Sequence, residues 1–502
     1  MRISQLNRSY LAKLSLILFS VGCTVEISAA KLVKPNVIFI MADDLGYAEL
    51  GSYGQKKIKT PNLDRLARQG MRFTRNYSGN AVCAPSRCVL MTGKHPGHAF
   101  VRNNGEVKPE GQRPIPKNEI TIAELLRKQG YSTGAFGKWG LGFPGSVGDP
   151  IHQGFDRFYG YNCQRHAHSY YPNYLWSNLK RVALDNEPPV PGHASLSKGA
   201  DPSDPHSYDI FKGKDYAPDR INEQALKFIS DHKDKPFFLY YPTVIPHVAL
   251  HVPDEELKPY LDQKWNDPPF VRANGYGYTP HFTPRAAYAA MISRMDRYIG
   301  RILDLIDELG LVQNTIIVFT SDNGTTHLKA EVDYNFFDSV KPLRGLKGSL
   351  YEGGVRVPLI VRWPGRVPAG TTSEYVTGLE DWIPTLLDLI GEKKSIPAGL
   401  DGLSIANILY GKNQRPREFL YREFSGYGGQ QAVWSGRWKA IRQNILRKKN
   451  KQPLKIHLYD LNADISESND VAAENPKIVV QLRKLMAREH TPSEFYPIKP
   501  LD

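Results

Sequence analysis

Residues 36–44 read NVIFIMADD, an unbroken β-branched and aromatic run that stops at two aspartates. A strand covered on both faces reads as continuous hydrophobicity, whereas a half-exposed strand alternates. The stretch is therefore a central buried strand with Asp43 and Asp44 at its carboxyl end. Downstream, TPNLDRLARQG (60–70) offers Thr60 as N-cap, Pro61 at the first helical position, Leu63, Leu66 and Ala67 on one face, and a stop at Gly70. These are helix start and stop signals. TIAELLRKQG (121–130) repeats the pattern with a capping box from Thr121 to Glu124, then leads into a short strand, STGAFGKWG.

PFFLYYPTVIPH (236–247) and NTIIVFTSDNG (314–324) read as two more buried strands. The second follows an amphipathic helix over about 284–309, with Met291, Met295, Tyr298, Ile302, Leu305 and Leu309 on one face. Strands alternating with helices predict an α/β fold, a large mixed sheet sandwiched by helices. From about 140 to 220 the chain is rich in Pro, Gly, Tyr and His with little periodicity, which reads as long surface loops. After about 395, AVWSGRWKAIRQ and KIHLYDLN alternate with turns and KIVVQLRKLMAREH closes as a helix. That pattern predicts a small C-terminal antiparallel sheet with a helix.

Composition narrows the classes. The chain has 502 residues, 41% of them hydrophobic, enough for a large core. Arg2, Arg8 and Lys13 precede the short apolar run LSLILFSVG, and Ser28, Ala29 and Ala30 follow, the order of an export signal over 1–30. Cys23 after Gly22 offers a lipoprotein alternative, although Ser20 fits that site poorly. The mature protein is expected to be periplasmic or secreted, and no stretch is apolar and long enough for a transmembrane segment. Lysine and arginine outnumber aspartate and glutamate 65 to 51, for a formal net charge of +14. An excess of that sign steers acidic partners. The sequence holds no zinc-finger spacing, basic helix or RNA-binding signature, so nucleic acid is not the expected partner. An anionic small molecule or a sulfated or carboxylated glycan fits an exported protein better.

Open α/β sheets bind ligands beyond the carboxyl ends of their strands. Those positions are Asp43 and Asp44, Lys138, His247, and Asp322 with Asn323. Three carboxylates and an amide oxygen form a hard, all-oxygen set suited to Ca²⁺ or Mg²⁺. Any one of these aspartates alone would be read as a turn cap; the paired arrangement points to a metal. Lys138 and Lys347 would add positive charge for an anionic group, and His247 lies among apolar residues where a neutral core imidazole is the common outcome. VCAPSRCVLMTG (82–93) adds Cys83 and Arg87. No CxxC or histidine pair supports zinc at Cys83. A disulfide with Cys88 or Cys163, or a nucleophile with His247 as base, stays open on these grounds.

CAPSRCVLMTG resembles the signature of the type I sulfatases, members of the alkaline phosphatase superfamily. The likeness extends to NVIFIMADDLGY, GKWGLG, the PH of VIPHV, SDNG, GLKGSLYEGGVRVP and the C-terminal LYDL. It implies a catalytic domain over 31–395, a C-terminal subdomain over 396–502, and an alkaline-phosphatase-like fold. It further implies conversion of Cys83 to formylglycine by a formylglycine-generating enzyme, and one calcium held by Asp43, Asp44, Asp322, Asn323 and the modified Cys83. Arg87 would fix the formylglycine, Lys138 and Lys347 would hold sulfate oxygens, and His247 would help protonate the leaving alcohol. Ser86 and Pro85 would serve recognition by the modifying enzyme.

One position departs from the family. Where a histidine often follows Lys-Trp, this chain has Gly140; His152, His166, His168 and His327 are the candidates for its role. QRHAHSYYPNYLW (164–176) places His166, His168 and Tyr170 in a loop expected beside the site, where rings with polar tips stack on sugars. The expected activity is release of sulfate from a sulfated carbohydrate. A phosphodiesterase or phosphonate monoesterase of the same superfamily, or a glycan-binding protein with a dead site, are the alternatives.

Overall fold

Strand β1 (Asn36–Ala42) is buried along its whole length, as its unbroken apolar run requires. It lies inside a ten-stranded sheet built, in chain order, from β1, β2 (Met71–Phe73), β3 (Ser132–Lys138), β4 (Arg157–Tyr161), β5 (Tyr174–Ser177), β6 (Lys180–Ala183), β7 (Phe237–Pro242), β8 (Thr315–Ser321), β9 (Leu359–Arg362) and β10 (Thr371–Ser373). The spatial order is β10-β2-β9-β8-β1-β7-β3-β4-β5-β6. The central strands β8, β1, β7, β3 and β4 run parallel. The sheet turns antiparallel outward from them, at β8–β9 and at β4–β5. All central strands therefore deliver their carboxyl ends to one edge.

The computed structural model describes residues 34–271 and 277–502. Lys34–Asp502 form one compact unit, and the export segment with Cys23 lies outside the described residues. Helices cover both faces. Ile38, Ile40 and Ala42 pack into a layer with α1 (Pro61–Gln69), and with the Ala217–Asp231 and Pro284–Glu308 helices. Val37, Phe39 and Met41 face α2 (Cys83–Thr92), α3 (Ile122–Lys128) and the Trp382–Leu389 helix. The capping box of Thr121 and Glu124 is formed. Thr60 does not cap α1 with its side chain. Instead Asp296, buried on the long Pro284–Glu308 helix, accepts from the backbone N–H of Asn62 (3.1 Å) and Leu63 (2.7 Å). The cap is supplied across a tertiary contact, which local sequence cannot show.

The 140–220 region is not only loop. RFYGY forms β4, a full partner of β3, and β5 and β6 extend that edge. Gly160 allows the approach, since a Cβ there would lie 2.0 Å from the Gly137 carbonyl oxygen. At the C-terminus Leu420–Phe424, Gln430–Ser435, Trp438–Gln443 and His457–Asp460 form a four-stranded antiparallel sheet. One face packs on Tyr77, Leu350 and Val355, and the other on the Pro476–Arg488 helix. Lys439 anchors this junction, its buried Nζ 3.0 Å from Glu352 and 2.7 Å from Glu467. No described helix is long and apolar enough to cross a membrane.

Candidate active site

The parallel strand ends converge as their topology dictates. Asp44 adopts a left-handed backbone (φ 66°) directly after Asp43, turning the chain sharply at the end of β1. Asp43 Oδ2 receives Lys138 Nζ at 2.6 Å, and Asp44 Oδ2 receives Lys347 Nζ at 2.8 Å. Asn323 Nδ2 donates to Asp44 Oδ1 at 2.8 Å, and the Asp44 N–H donates to Asp322 Oδ1 at 3.2 Å. Cys83 opens α2 with its Sγ 3.4 Å from Asp43 Oδ1. Arg87, one helical turn on and on the same face, gives two hydrogen bonds to Asp322 Oδ2, from Nε at 3.2 Å and from its terminal nitrogen at 2.8 Å. It also donates to the Lys138 carbonyl.

Charge in this cluster is nearly closed on itself. Burial acts to raise the Asp43 carboxyl, but Lys138, His247 and Arg87 outweigh it and hold Asp43 well below the carboxylate range. Asp322 is pushed up to about 7 by burial and by Asp43. Burial acts against a charged Lys347, and Asp44 more than offsets it. Asp43 and Asp44 each bring a carboxylate oxygen within 4.8 Å of Cys83 Sγ and of a His247 ring nitrogen, a buried group that could hold a metal ion. Asn323 Oδ1 is buried with no hydrogen-bond partner, an acceptor of the kind such a cation takes. Carboxylate and amide oxygens of this kind suit a hard cation, and Asp43 and Asp44 could hold one, with Asp322 and Asn323 beside them.

A cavity of about 480 Å³ opens over these groups, lined among others by Asp44, Cys83, Lys138, His168, His247 and Lys347. The chain matches the family profile described as Sulfatase over residues 35–392, and that of the N-sulphoglucosamine sulphohydrolase C-terminal region over 345–491. The chain belongs to the sulfatase family. It is 31% identical to an N-acetylgalactosamine-6-O-sulfatase of Bacteroides thetaiotaomicron, over 90% of this chain and 92% of the relative. It is also 31% identical to bovine arylsulfatase A, over 92% and 90% of the two chains. The crystal structure of Ps i-CgsB in complex with k-i-k-neocarrahexaose superposes with a TM-score of 0.70 at 28% identity, covering 91% of this chain and 92% of that one. This is a type I sulfatase of the alkaline phosphatase superfamily, with the mixed sheet and small C-terminal sheet of that fold.

In this sulfatase the residues singled out in the sequence divide clearly. Burial, followed by the Asp43 charge, pushes the Cys83 thiol up, so it is a poor thiolate; its hydrogen-bond partner is a carboxylate rather than a histidine. A His247 ring nitrogen lies within 4.8 Å of the thiol without a hydrogen bond to it. Cys88 and Cys163 are buried free thiols, so among the described residues no disulfide joins them or Cys83. Ser86 is fully buried, its Oγ engaged with the Asn80 backbone. The imidazole of His247 leans its Nδ1 on the Val248 carbonyl and puts Nε2 3.6 Å from Asp44 Oδ2. Burial, then Lys347, pulls it down to about 4, so it stands neutral.

His168 lines the cavity, its ring parallel to that of His247 at 4.9 Å. His166 does not: it faces Glu110 (3.5 Å) and packs on Tyr174. Tyr170 is fully buried, and its hydroxyl donates to the Val244 carbonyl at 2.7 Å and to that of His247. Neither residue lines the cavity: Tyr170 holds the His247 backbone from below, and His166 turns to Glu110. Of the candidates for the histidine missing at Gly140, His152 is tied to Ser146 (2.7 Å) outside the cavity, while His168 and His327 line it. The space beside Gly140 is filled by Gln164: a Cβ at Gly140 would lie 2.7 Å from Gln164 Nε2, itself buried and unpartnered. Gln164, Arg165, Tyr278 and Tyr427 are cavity residues that sequence reading missed. Gln164 and Arg165 lie inside the loop it singled out.

Proposed function

We propose that this sulfatase is exported and removes sulfate from a sulfated carbohydrate, with Cys83 converted to formylglycine by a formylglycine-generating enzyme and one calcium held by Asp43, Asp44, Asp322 and Asn323 beside it. The observation that carries the reading is the placement of Cys83. It sits at the start of α2 with Asp43 at 3.4 Å, among cations aimed at one cavity, where burial and the Asp43 charge disfavour the thiolate of an unmodified cysteine.

Bound calcium would supply the positive charge that makes a hydroxyl of the hydrated aldehyde acidic. The protein's own groups do the rest. Arg87, bonded twice to Asp322, works against the upward push on that carboxyl and orients the helix start that carries residue 83. Lys138 and Lys347 offer fixed ammonium groups to the sulfate oxygens, stabilising charge on the transferring group. His247, held neutral with Nδ1 engaged, presents Nε2 toward the cavity; it takes a proton before it delivers one to the leaving oxygen.

A carbohydrate is supported by the names of the relatives, by the polar cavity, and by the rings of Tyr278 and Tyr427 in its wall. Incubating protein of verified residue-83 chemistry with a defined panel of sulfated oligosaccharides, aryl sulfates and phosphate esters tests it. Sulfate release highest on the oligosaccharides is expected. A phosphate-ester preference, or glycan binding without sulfate release, would overturn the reading.

A further inference from the structure

The catalytic cavity does not end at Lys347. A Cβ added at Gly348 would lie 2.9 Å from the Tyr427 ring, so that ring lies over the backbone beside the catalytic lysine. Tyr427 is 53% exposed, and His327 meets it edge-on at 5.3 Å. Both residues, with Lys347, also line a second depression of about 410 Å³ that continues along Gly345–Ser349. One exposed ring thus forms a shared wall between two adjoining depressions, only the first of which holds the acidic cluster.

Beyond Tyr427 the surface becomes cationic. A Cβ at Gly428 would lie 2.9 Å from Arg447 Nε, so the Arg447 side chain covers the residue next to Tyr427. The backbone fixes this arrangement: Ile445 N–H donates to Gly429 O at 3.1 Å and Leu446 N–H to Gly428 O at 2.8 Å. The segment that follows, NILRKKNKQPLK (444–455), exposes Arg447, Lys448, Lys449, Lys451 and Lys455 and contains no acidic residue. None of these cations makes an ion pair among the described residues. A cationic rim left without acidic neighbours, continuous with a binding cavity, favours an anionic occupant through the local field.

We infer that this surface binds the flanking sulfated sugars of a polyanionic chain whose scissile sulfate lies in the catalytic cavity: the ring of Tyr427 packs against the neighbouring sugar, and the 447–455 rim pairs with its anionic groups. The inference rests on the sulfatase reading above for the placement of the scissile group. It makes the enzyme one that selects polysulfated oligomers over isolated sulfate esters. An exposed ring set between Lys347 and the 447–455 cations matches the sugar and sulfate groups of such a chain.

The test uses the full-length mature protein and the Lys448→Ala/Lys449→Ala/Lys451→Ala variant, assayed on a chondroitin sulfate hexasaccharide and on 4-nitrophenyl sulfate. Each exposed ion pair contributes roughly two- to fivefold, so kcat/KM on the hexasaccharide, divided by that on the aryl ester, is expected to fall by about tenfold at low salt. The drop should shrink as salt rises. Affinity for dextran sulfate, measured by titration calorimetry without turnover, should fall in parallel. An unchanged ratio with normal sulfate release overturns the surface and leaves the sulfatase. Lysine-dependent binding of dextran sulfate without sulfate release from any ester sinks the sulfatase reading and keeps the surface. Binding of polyphosphate or of phosphatidylserine vesicles in preference to the sulfated polymer overturns the inference.

Discussion

Replacing Lys347 by Met separates the catalytic use of this cation from its structural use. Its Nζ is 2.8 Å from Asp44 Oδ2, and the side chains are 11% and 2% exposed. Breaking a fully buried pair costs about 3–5 kcal/mol because one charge is left uncompensated. Here Lys347 reaches the cavity and Asp44 keeps its bond from Asn323 Nδ2, so a loss nearer ~2 kcal/mol is expected. That cost is read as a shift in the urea midpoint. Loss of one fixed cationic donor to the transferring group removes about 3 kcal/mol of transition-state stabilisation, or roughly 10²-fold in kcat. The assay is kcat and KM on a sulfate ester at a urea concentration of zero, beside the unfolding curve. Because Asp44 holds Lys347 protonated far above the ordinary lysine range, the defect should not vary across neutral pH. A folded variant whose kcat falls by less than about threefold would refute the role given to Lys347.

Grafting the family histidine by Gly140→His should fail. Residue 140 sits at φ 83° and a Cβ there meets Gln164 Nε2 at 2.7 Å, so a loss of about 1–3 kcal/mol in stability and no gain in kcat are expected. Adding Gln164→Ala should return part of the stability but not the strain; unfolding curves of both variants check this. Glu49 is buried under Tyr288 and Thr325 and pushed up to about 7, chiefly by burial. A carboxyl whose folded pKa is raised contributes fully below its unfolded value and loses that contribution as pH rises through about 7. Glu49→Gln should therefore gain on the wild type between pH 5 and pH 8, by up to ~3 kcal/mol in urea unfolding. Equal differences at both pH values would show that Glu49 ionises freely.

The legible part of this fold was the part that each residue encodes locally. β1, β7 and β8 are unbroken runs because both their faces are covered, and the acids that end β1 and β8 fall at one sheet edge because the strands are parallel. Asp43, Asp44, Asp322 and Asn323 are therefore legible in the sequence as strand-end residues. What stayed hidden depends on distant chain. β4 is five residues long with a glycine in it, and only its pairing with β3 identifies it. Tyr170 looked like a sugar platform, but its hydroxyl finds the Val244 and His247 carbonyls, so it holds the histidine loop from below. Gln164 carries no motif; its role beside Gly140 follows from the missing side chain, a negative signal that needs the structure to read.

The central claim is that Cys83 is spent as a precursor and not used as a thiol. Peptide mass spectrometry of the segment spanning Cys83, on exported protein that releases sulfate, tests it most directly. Residue 83 should have lost its sulfur and carry an aldehyde that reacts with a hydrazide probe, in proportion to specific activity across preparations, and Cys83→Ala should be folded and inactive. A preparation with full sulfate release and an intact cysteine at position 83 would contradict it.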